Sequence, residues 1–388
     1  MTLLVATQDP NATAETYVRQ HMRMIAPGKT VGLALSGSGD APGDIPFLHL
    51  NPDRRGLSGK IASAIATARH GYSGAPIGAD RAAAKAFCQR HGVKIVLAEF
   101  GPTGAALMTL CKGLGIPLIV NFHGYDATVM PKSARVRSAY RQLARTVSGV
   151  VCGSRHFAGR VAEIGFERDQ IMVVPCGIES ALFQPGPDKT GNRIVAVGRL
   201  TPKKAPDLTI RAFAKAREEV PSLMLDMIGP GPLFDHCAGL IEDLGLSESV
   251  RLMGAQEPQA VRAALASADI FVQHSVVAPN GDTESQGISL IEAMAAALPV
   301  VATDHNGFSE TVIDGETGFL VPERDTDGMA ARIVSLAQDP ALRARFGAAG
   351  RDRARAHFDA SVTTDLMRAV IKKAVPDFDF GLSNRGQA

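Results

Sequence analysis

A chain of 388 residues with 45% hydrophobic and 21% charged side chains and no tryptophan is long enough for two folded cores, and it excludes a disordered or fibrous protein. Its 41 basic and 39 acidic residues leave a formal charge of +2, so no global field points to nucleic acid or to an anionic surface as a partner. Five cysteines, widely spread and without a CxxC pair, argue against a disulfide framework or a zinc site and for a reduced, cytoplasmic setting.

The first residues, MTLLVATQDP, lack the basic start and the apolar length of a signal peptide, and no later run reaches the ~18 apolar residues of a membrane span. Short apolar, β-branched runs then alternate with Ala-rich amphipathic stretches: LLVAT from Leu3, VGLALS from Val31, KIVLAEF from Lys94, PLIVNF from Pro117, VVCGS from Val150 and IMVVP from Ile171. This alternation predicts a parallel sheet covered by helices on both faces. The GSGDAPG run from Gly37 places Pro42 at the third glycine of a dinucleotide fingerprint, which sets that reading aside. KSARVRSAYRQLAR from Lys132 predicts a basic amphipathic helix. It has two readings, a solvated face or a contact with an anionic membrane that brings the first domain to a lipid-linked acceptor.

The segment Phe183 to Asn192, FQPGPDKTGN, has two prolines, two glycines and no apolar core, and predicts an interdomain linker. After it the alternation restarts with RIVAVGRL from Arg193, LMLDMIG from Leu223, VRLMG from Val250, DIFVQHS from Asp269, PVVAT from Pro299 and GFLVP from Gly318. The expected fold is α/β, with two doubly wound Rossmann-like domains facing across a cleft, over residues 1–185 and 186–360. A helix at about 361–375 is expected to pack back on the first domain, and the polar tail after Pro376 to fray. Neither DFD at Asp377 nor DTD at Asp325 makes a convincing metal motif: the first sits in that tail, and the second opens a helix where acids are expected.

Ligands of such sheets bind beyond the carboxyl ends of the strands. NGDTESQGISLIEAMAAALPVVATD, from Asn280, leads a polar loop into a helix whose first-turn amides, Gly287, Ile288 and Ser289, would face a phosphate at the positive end of the helix dipole. Glu284 before that helix and Glu292 within it are acceptors for the hydroxyls of a ligand held there; the plainer reading is a pair of acids at a helix start. GRLTPKKAPD, from Gly198, offers Arg199 as a fork and Lys203 or Lys204 as a point charge for a diphosphate.

Taken together, the order and spacing of AETYV from Ala14, FGPTG from Phe100, NFHGYDATV from Asn121, VVPCGIESALFQP from Val173, VGRLTPKKAP from Val197, IGPGPL from Ile228 and SETVIDGETGFLV from Ser309 resemble a GT-B glycosyltransferase of family 4, the retaining group found in bacterial polysaccharide synthesis. Glu284 and Glu292 match the family's ExxxxxxxE motif. The resemblance implies that Arg199 and Lys204 hold the donor diphosphate, Glu292 the ribose hydroxyls and Glu284 the transferred sugar. The backbone at Met253 and Gly254 would touch the base. It further implies that His123 reaches across the cleft to the sugar, and that Phe100, Gly101 and Asp126 meet the acceptor. Two positions depart from the family, Ser285 after the first glutamate and Ala205 after the lysine, both commonly glycine.

The reading is therefore a metal-independent retaining transferase without a cofactor. It takes a UDP- or GDP-sugar as substrate and a saccharide or lipid-linked saccharide as acceptor, in exopolysaccharide or lipopolysaccharide synthesis, in the cytoplasm or at the inner face of the membrane. A nucleotide-sugar epimerase of the same architecture and a non-enzymatic two-lobed sugar-binding protein are the alternatives.

Overall fold

The computed structural model describes residues 1–9, 16–36, 43–50, 56–186 and 190–382; the GSGDAPG run, apart from Gly43, lies outside them. The chain divides into two compact units, Met1–Pro175 with the segment from Thr363 onward, and Cys176–Val362.

Among the described residues the first unit has seven parallel strands: β1 (Thr2–Thr7), β2 (Thr30–Ala34), β3 (Phe47–His49), β4 (Val93–Glu99), β5 (Leu118–Phe122), β6 (Gly149–Cys152) and β7 (Ile171–Val173). Their order is β3-β2-β1-β4-β5-β6-β7. The second unit has β8 (Arg193–Val197), β9 (Met224–Ile228), β10 (Val250–Gly254), β11 (Ile270–Gln273), β12 (Val300–Thr303) and β13 (Gly318–Val321), again parallel, in the order β10-β9-β8-β11-β12-β13. Both sheets are doubly wound, as the alternation predicts, and each reverses its winding once, at β1/β4 and at β8/β11.

The period of two along a strand explains the cover on both faces. In β8, Ile194 joins Phe213, Leu225, Met227 and Ile333 in one core, while Val195 joins Phe271, Leu290 and Met294 in the other. Each large side chain so buried contributes about 1.5–3 kcal/mol, and helices on two faces are what these strands need to be stable.

The chain passes between units at Pro175/Cys176, ten residues before the expected boundary at 185/186. The segment read as a linker is packed instead. Phe183 is buried in the second core, Gly186 N–H donates to Ala266 O at 3.1 Å, and Thr190 Oγ1 to Asp269 Oδ2 at 3.2 Å. The return crossing lies beside Asp359, whose carboxylate accepts from Ser180 Oγ at 2.5 Å, while Ile178 exchanges backbone hydrogen bonds with Phe358 and Ala360.

From Thr363 the helix Ala360–Ala374 belongs to the first unit, where Arg368 donates to the carbonyls of Ile25 and Met24. The tail after Pro376 does not fray over its described residues: Phe378 and Phe380 are buried and Asp379 pairs with Lys29. Two phenylalanines at alternate positions anchor an otherwise polar segment, and Asp379 of the DFD motif is held by a lysine.

Candidate functional site

The reversal of winding in the second unit sets β8 beside β11, so the loops after these strands border one crevice. Gly198, Arg199 and Lys204 from the first loop, Gln273 at the end of β11 and His274 just after it line a small pocket there. The loop after β8 lies so close to the end of β9 that a Cβ on Gly229 would stand 2.1 Å from Gly198 O, and one on Gly231 2.3 Å from Leu200 O. Only glycine fits at those two places, which accounts for the IGPGPL pattern. A single 3-10 turn, Pro202–Lys204, and Ala205 in the left-handed region (φ 37°) then lead into the helix Pro206–Glu219.

Lys204 Nζ lies 3.0 Å from Glu284 Oε2, and Lys203 Nζ lies 3.2 Å from Glu284 Oε1 and 3.3 Å from Asp282 Oδ1. Burial pushes the Glu284 carboxyl up, but the two ammonium groups outweigh it and hold the group at about 2, fully ionised near neutrality. Arg199 is exposed, and its guanidinium has no partner among the described residues.

Gly287 caps the helix Ile288–Ala295 with φ 78°, where a Cβ would meet Phe308 at 2.7 Å and Leu290 at 2.8 Å. The N–H groups of Gly287, Ile288 and Ser289 meet no acceptor among the described residues, leaving three donors at the positive end of the helix. Ser289 Oγ donates to Gln273 Oε1 at 2.8 Å, which ties this helix start to the end of β11. Glu292, among buried Ile291, Ala293 and Met294, is pushed up to about 7 by burial, against the smaller pull of Lys204 and Arg262. Met253 and Gly254 end β10; Met253 is 38% exposed and Gly254 O accepts from Gly229 N–H at 2.8 Å.

In the first unit, Glu99 at the end of β4 is fully buried. Its Oε1 lies 2.6 Å from His21 Nδ1, and its Oε2 2.8 Å from His123 Nε2 and 3.0 Å from Asn121 Nδ2. Burial pushes the carboxyl up, yet the two imidazoles hold it at about 2. His123 packs between the rings of Tyr17 and Phe100, at centroid distances of 4.3 and 4.6 Å. Asp126, expected to meet the acceptor, is 2% exposed, and its carboxylate accepts the N–H groups of Gly101, His123 and Gly124 at 2.9, 3.1 and 2.9 Å. Those contacts are structural: they fix the FGPTG and FHGYD loops against each other and occupy the Gly101 amide. A Cβ on Gly101 would clash with Phe122 and Tyr140.

Several residues that hold the second-unit site carry no motif of their own. His305 Nε2 accepts the Glu284 N–H at 3.2 Å while its Nδ1 donates to Glu323 Oε1 at 2.5 Å, so the HNGFSE loop positions the Glu284 backbone. Gln286 is buried and its Oε1 accepts the Cys176 N–H at 2.7 Å. Asp325 Oδ1 accepts the Gly328 N–H at 2.7 Å and caps a helix, as its place at a helix start predicts.

Residues 178–353 match the family model described as glycosyl transferases group 1, and residues 38–182 the model described as glycosyltransferase family 4. A GDP-mannose-dependent alpha-(1-6)-phosphatidylinositol monomannoside mannosyltransferase of Mycolicibacterium smegmatis is 31% identical over 276 residues, 67% of this chain and 72% of that protein. The chain belongs to glycosyltransferase family 4. WcaL of Escherichia coli, named for colanic acid biosynthesis, is 33% identical over 250 residues, 63% of this chain; the match spans 61% of the length of that relative. The crystal structure of Anabaena Alr3699/HepE in complex with UDP superposes with a TM-score of 0.77 over 96% of this chain and 100% of that one, at 19% identity. The fold is GT-B.

Proposed function

We propose that the chain is a retaining glycosyltransferase that moves a sugar from a nucleotide diphosphate to a saccharide or lipid-linked saccharide in the synthesis of an exopolysaccharide or lipopolysaccharide. The observation that carries this reading is the Lys204–Glu284 pair at 3.0 Å beside three unpartnered helix amides and the open guanidinium of Arg199. That combination offers cations and amides for a diphosphate next to a carboxylate for sugar hydroxyls.

In this reading Arg199, Lys204 and the amides of Gly287, Ile288 and Ser289 neutralise the diphosphate as its bond to the anomeric carbon breaks. Glu284 orients the sugar, Glu292 accepts from the ribose, and the backbone near Met253 and Gly254 borders the base. The acceptor oxygen attacks the face that the diphosphate leaves, and the departing phosphate oxygen on that face is the nearest base for its proton. In the first unit, His123, backed by Glu99, is assigned to the sugar and Phe100 to the acceptor, with Gly101 and Asp126 shaping the loops that carry them. No metal step is needed, because the positive charge is supplied by the side chains and amides.

The curated relatives and the solved neighbour are named with different nucleotides, GDP in one and UDP in the other, so both donors are candidates. The enzyme is placed in the cytoplasm, at the inner face of the membrane; Lys132, Arg135, Arg141 and Arg145, exposed along and beside the helix Ala134–Ala144, offer a basic surface that fits an anionic membrane. Proton NMR of the product from UDP-glucose or GDP-mannose tests the reading. A product that keeps the donor's anomeric configuration supports it, an inverted one contradicts retention, and a sugar altered at a ring carbon without transfer favours the epimerase.

A further inference from the structure

The two adjacent lysines of the KKAP loop do not occupy equivalent positions. Lys204 lines the pocket with Gly198 and Arg199, and among the described residues the one carboxylate its ammonium pairs with directly is that of Glu284. Lys203 is not part of that lining. It is tied to the opposite loop three times: its Nζ to Glu284 Oε1 at 3.2 Å and to Asp282 Oδ1 at 3.3 Å, and its carbonyl to Val276 N–H at 2.9 Å. Asp282 is itself fixed, accepting from Thr283 N–H and donating its own N–H to Asn280 Oδ1, both at 2.9 Å.

We propose that Lys203 is a positioning residue that keeps the Glu284 carboxylate ionised and in place while Lys204 is engaged by a diphosphate. The inference rests on the donor-site reading above. One ammonium cannot serve a diphosphate and a carboxylate equally, and the diphosphate carries the larger charge. With its side chain only 13% exposed, Glu284 would lose its other counterion as Lys204 turned to the phosphates. Lys203, whose remaining anchors all lie on residues 276–284, stays with it. Two residues of one type, side by side, thus divide between ligand and carboxylate.

The test compares wild type with Lys203→Met, Lys203→Arg and Lys204→Met in two measurements, calorimetric affinity for UDP and GDP and turnover of UDP-glucose and GDP-mannose. Methionine keeps most of the packed stem of the lysine and removes the ammonium, its charge and its N–H donors together. Lys203→Met is expected to bind the nucleoside diphosphate within about threefold of wild type yet to turn over about tenfold or more slowly, with Lys203→Arg recovering most of the loss, whereas Lys204→Met loses about tenfold or more in affinity. Asp282→Asn, which weakens only the second anchor of Lys203, is expected to give the same split at smaller size. A Lys203→Met protein that loses affinity as far as Lys204→Met makes Lys203 a phosphate ligand and overturns the proposal. Unchanged turnover overturns it too. Wild type that binds neither nucleotide sinks the donor-site reading first, and this inference with it.

Discussion

Lys204 Nζ stands 3.0 Å from Glu284 Oε2, so the cation proposed for the diphosphate is also a partner of the carboxylate proposed for the sugar. Lys204→Ala is therefore expected to weaken nucleoside diphosphate binding by about tenfold or more, the worth of one charge-assisted hydrogen bond. Removing Glu284 frees Lys204, so Glu284→Ala is expected to bind the bare diphosphate at least as tightly as wild type while losing turnover. Calorimetry beside steady-state kinetics separates the two variants.

Glu292 gives a pH dependence of definite sign. Its ordinary value is 4.5 and burial raises it to about 7, so the folded chain keeps a proton that the unfolded chain gives up between those values. Stability contributed by this group is present below about 4.5 and is lost as pH rises through about 7. Glu292→Gln is expected to remove this loss, worth about 1–3 kcal/mol, as read from denaturant unfolding at about pH 5 and about pH 8. An ionised Glu292 is the better acceptor for ribose hydroxyls, so nucleotide affinity is expected to rise over the same range in wild type and to stay flat in the variant.

Ala205 carries a side chain where the backbone is left-handed, with φ 37°. Ala205→Gly is expected to stabilise the second unit by about 1 kcal/mol by removing that strain. The same geometry accounts for the family's glycine at this place. A drop in melting temperature on this substitution would contradict the strain.

Gly287 is the opposite case, with φ 78° and no room for a Cβ between Phe308 and Leu290. Gly287→Ala is expected to cost about 1–3 kcal/mol and to tilt the first-turn amides, lowering nucleotide affinity and melting temperature together.

Asp126 separates a structural from a ligand-binding role. Its carboxylate accepts three backbone N–H groups in a buried setting, so Asp126→Ala is expected to destabilise the first unit by about 3 kcal/mol or more. Nucleoside diphosphate affinity is expected to be unchanged in whatever fraction remains folded.

The architecture was legible because parallel strands buried on both faces leave unbroken apolar runs, and each of the runs quoted contains or overlaps a strand of the structure. β3 was missed: Phe47–His49 is three half-buried residues after Pro46, too short to leave a periodic signal. The packed segment around Phe183 was hidden because its prolines and glycines resemble those of a free linker, and the buried tail because two phenylalanines were outweighed by their polar neighbours. In the second unit the structure gathers Arg199, Lys204 and Glu284, and Ser289 joins them through Gln273. His305, Glu323 and Gln286 act through contacts distant in sequence, which spacing alone does not encode. Glu99 has no motif either; its sign is a carboxylate ending an apolar strand, which requires buried partners.

Thermal unfolding of wild type and Arg199→Ala with UDP, GDP and ADP shows whether the second unit holds a nucleoside diphosphate. A ligand that binds only the folded chain raises its melting temperature. A base-selective rise in wild type, largely lost in Arg199→Ala, is expected; no rise with any of the three nucleotides, or an equal rise in both proteins, would contradict a donor site at Arg199.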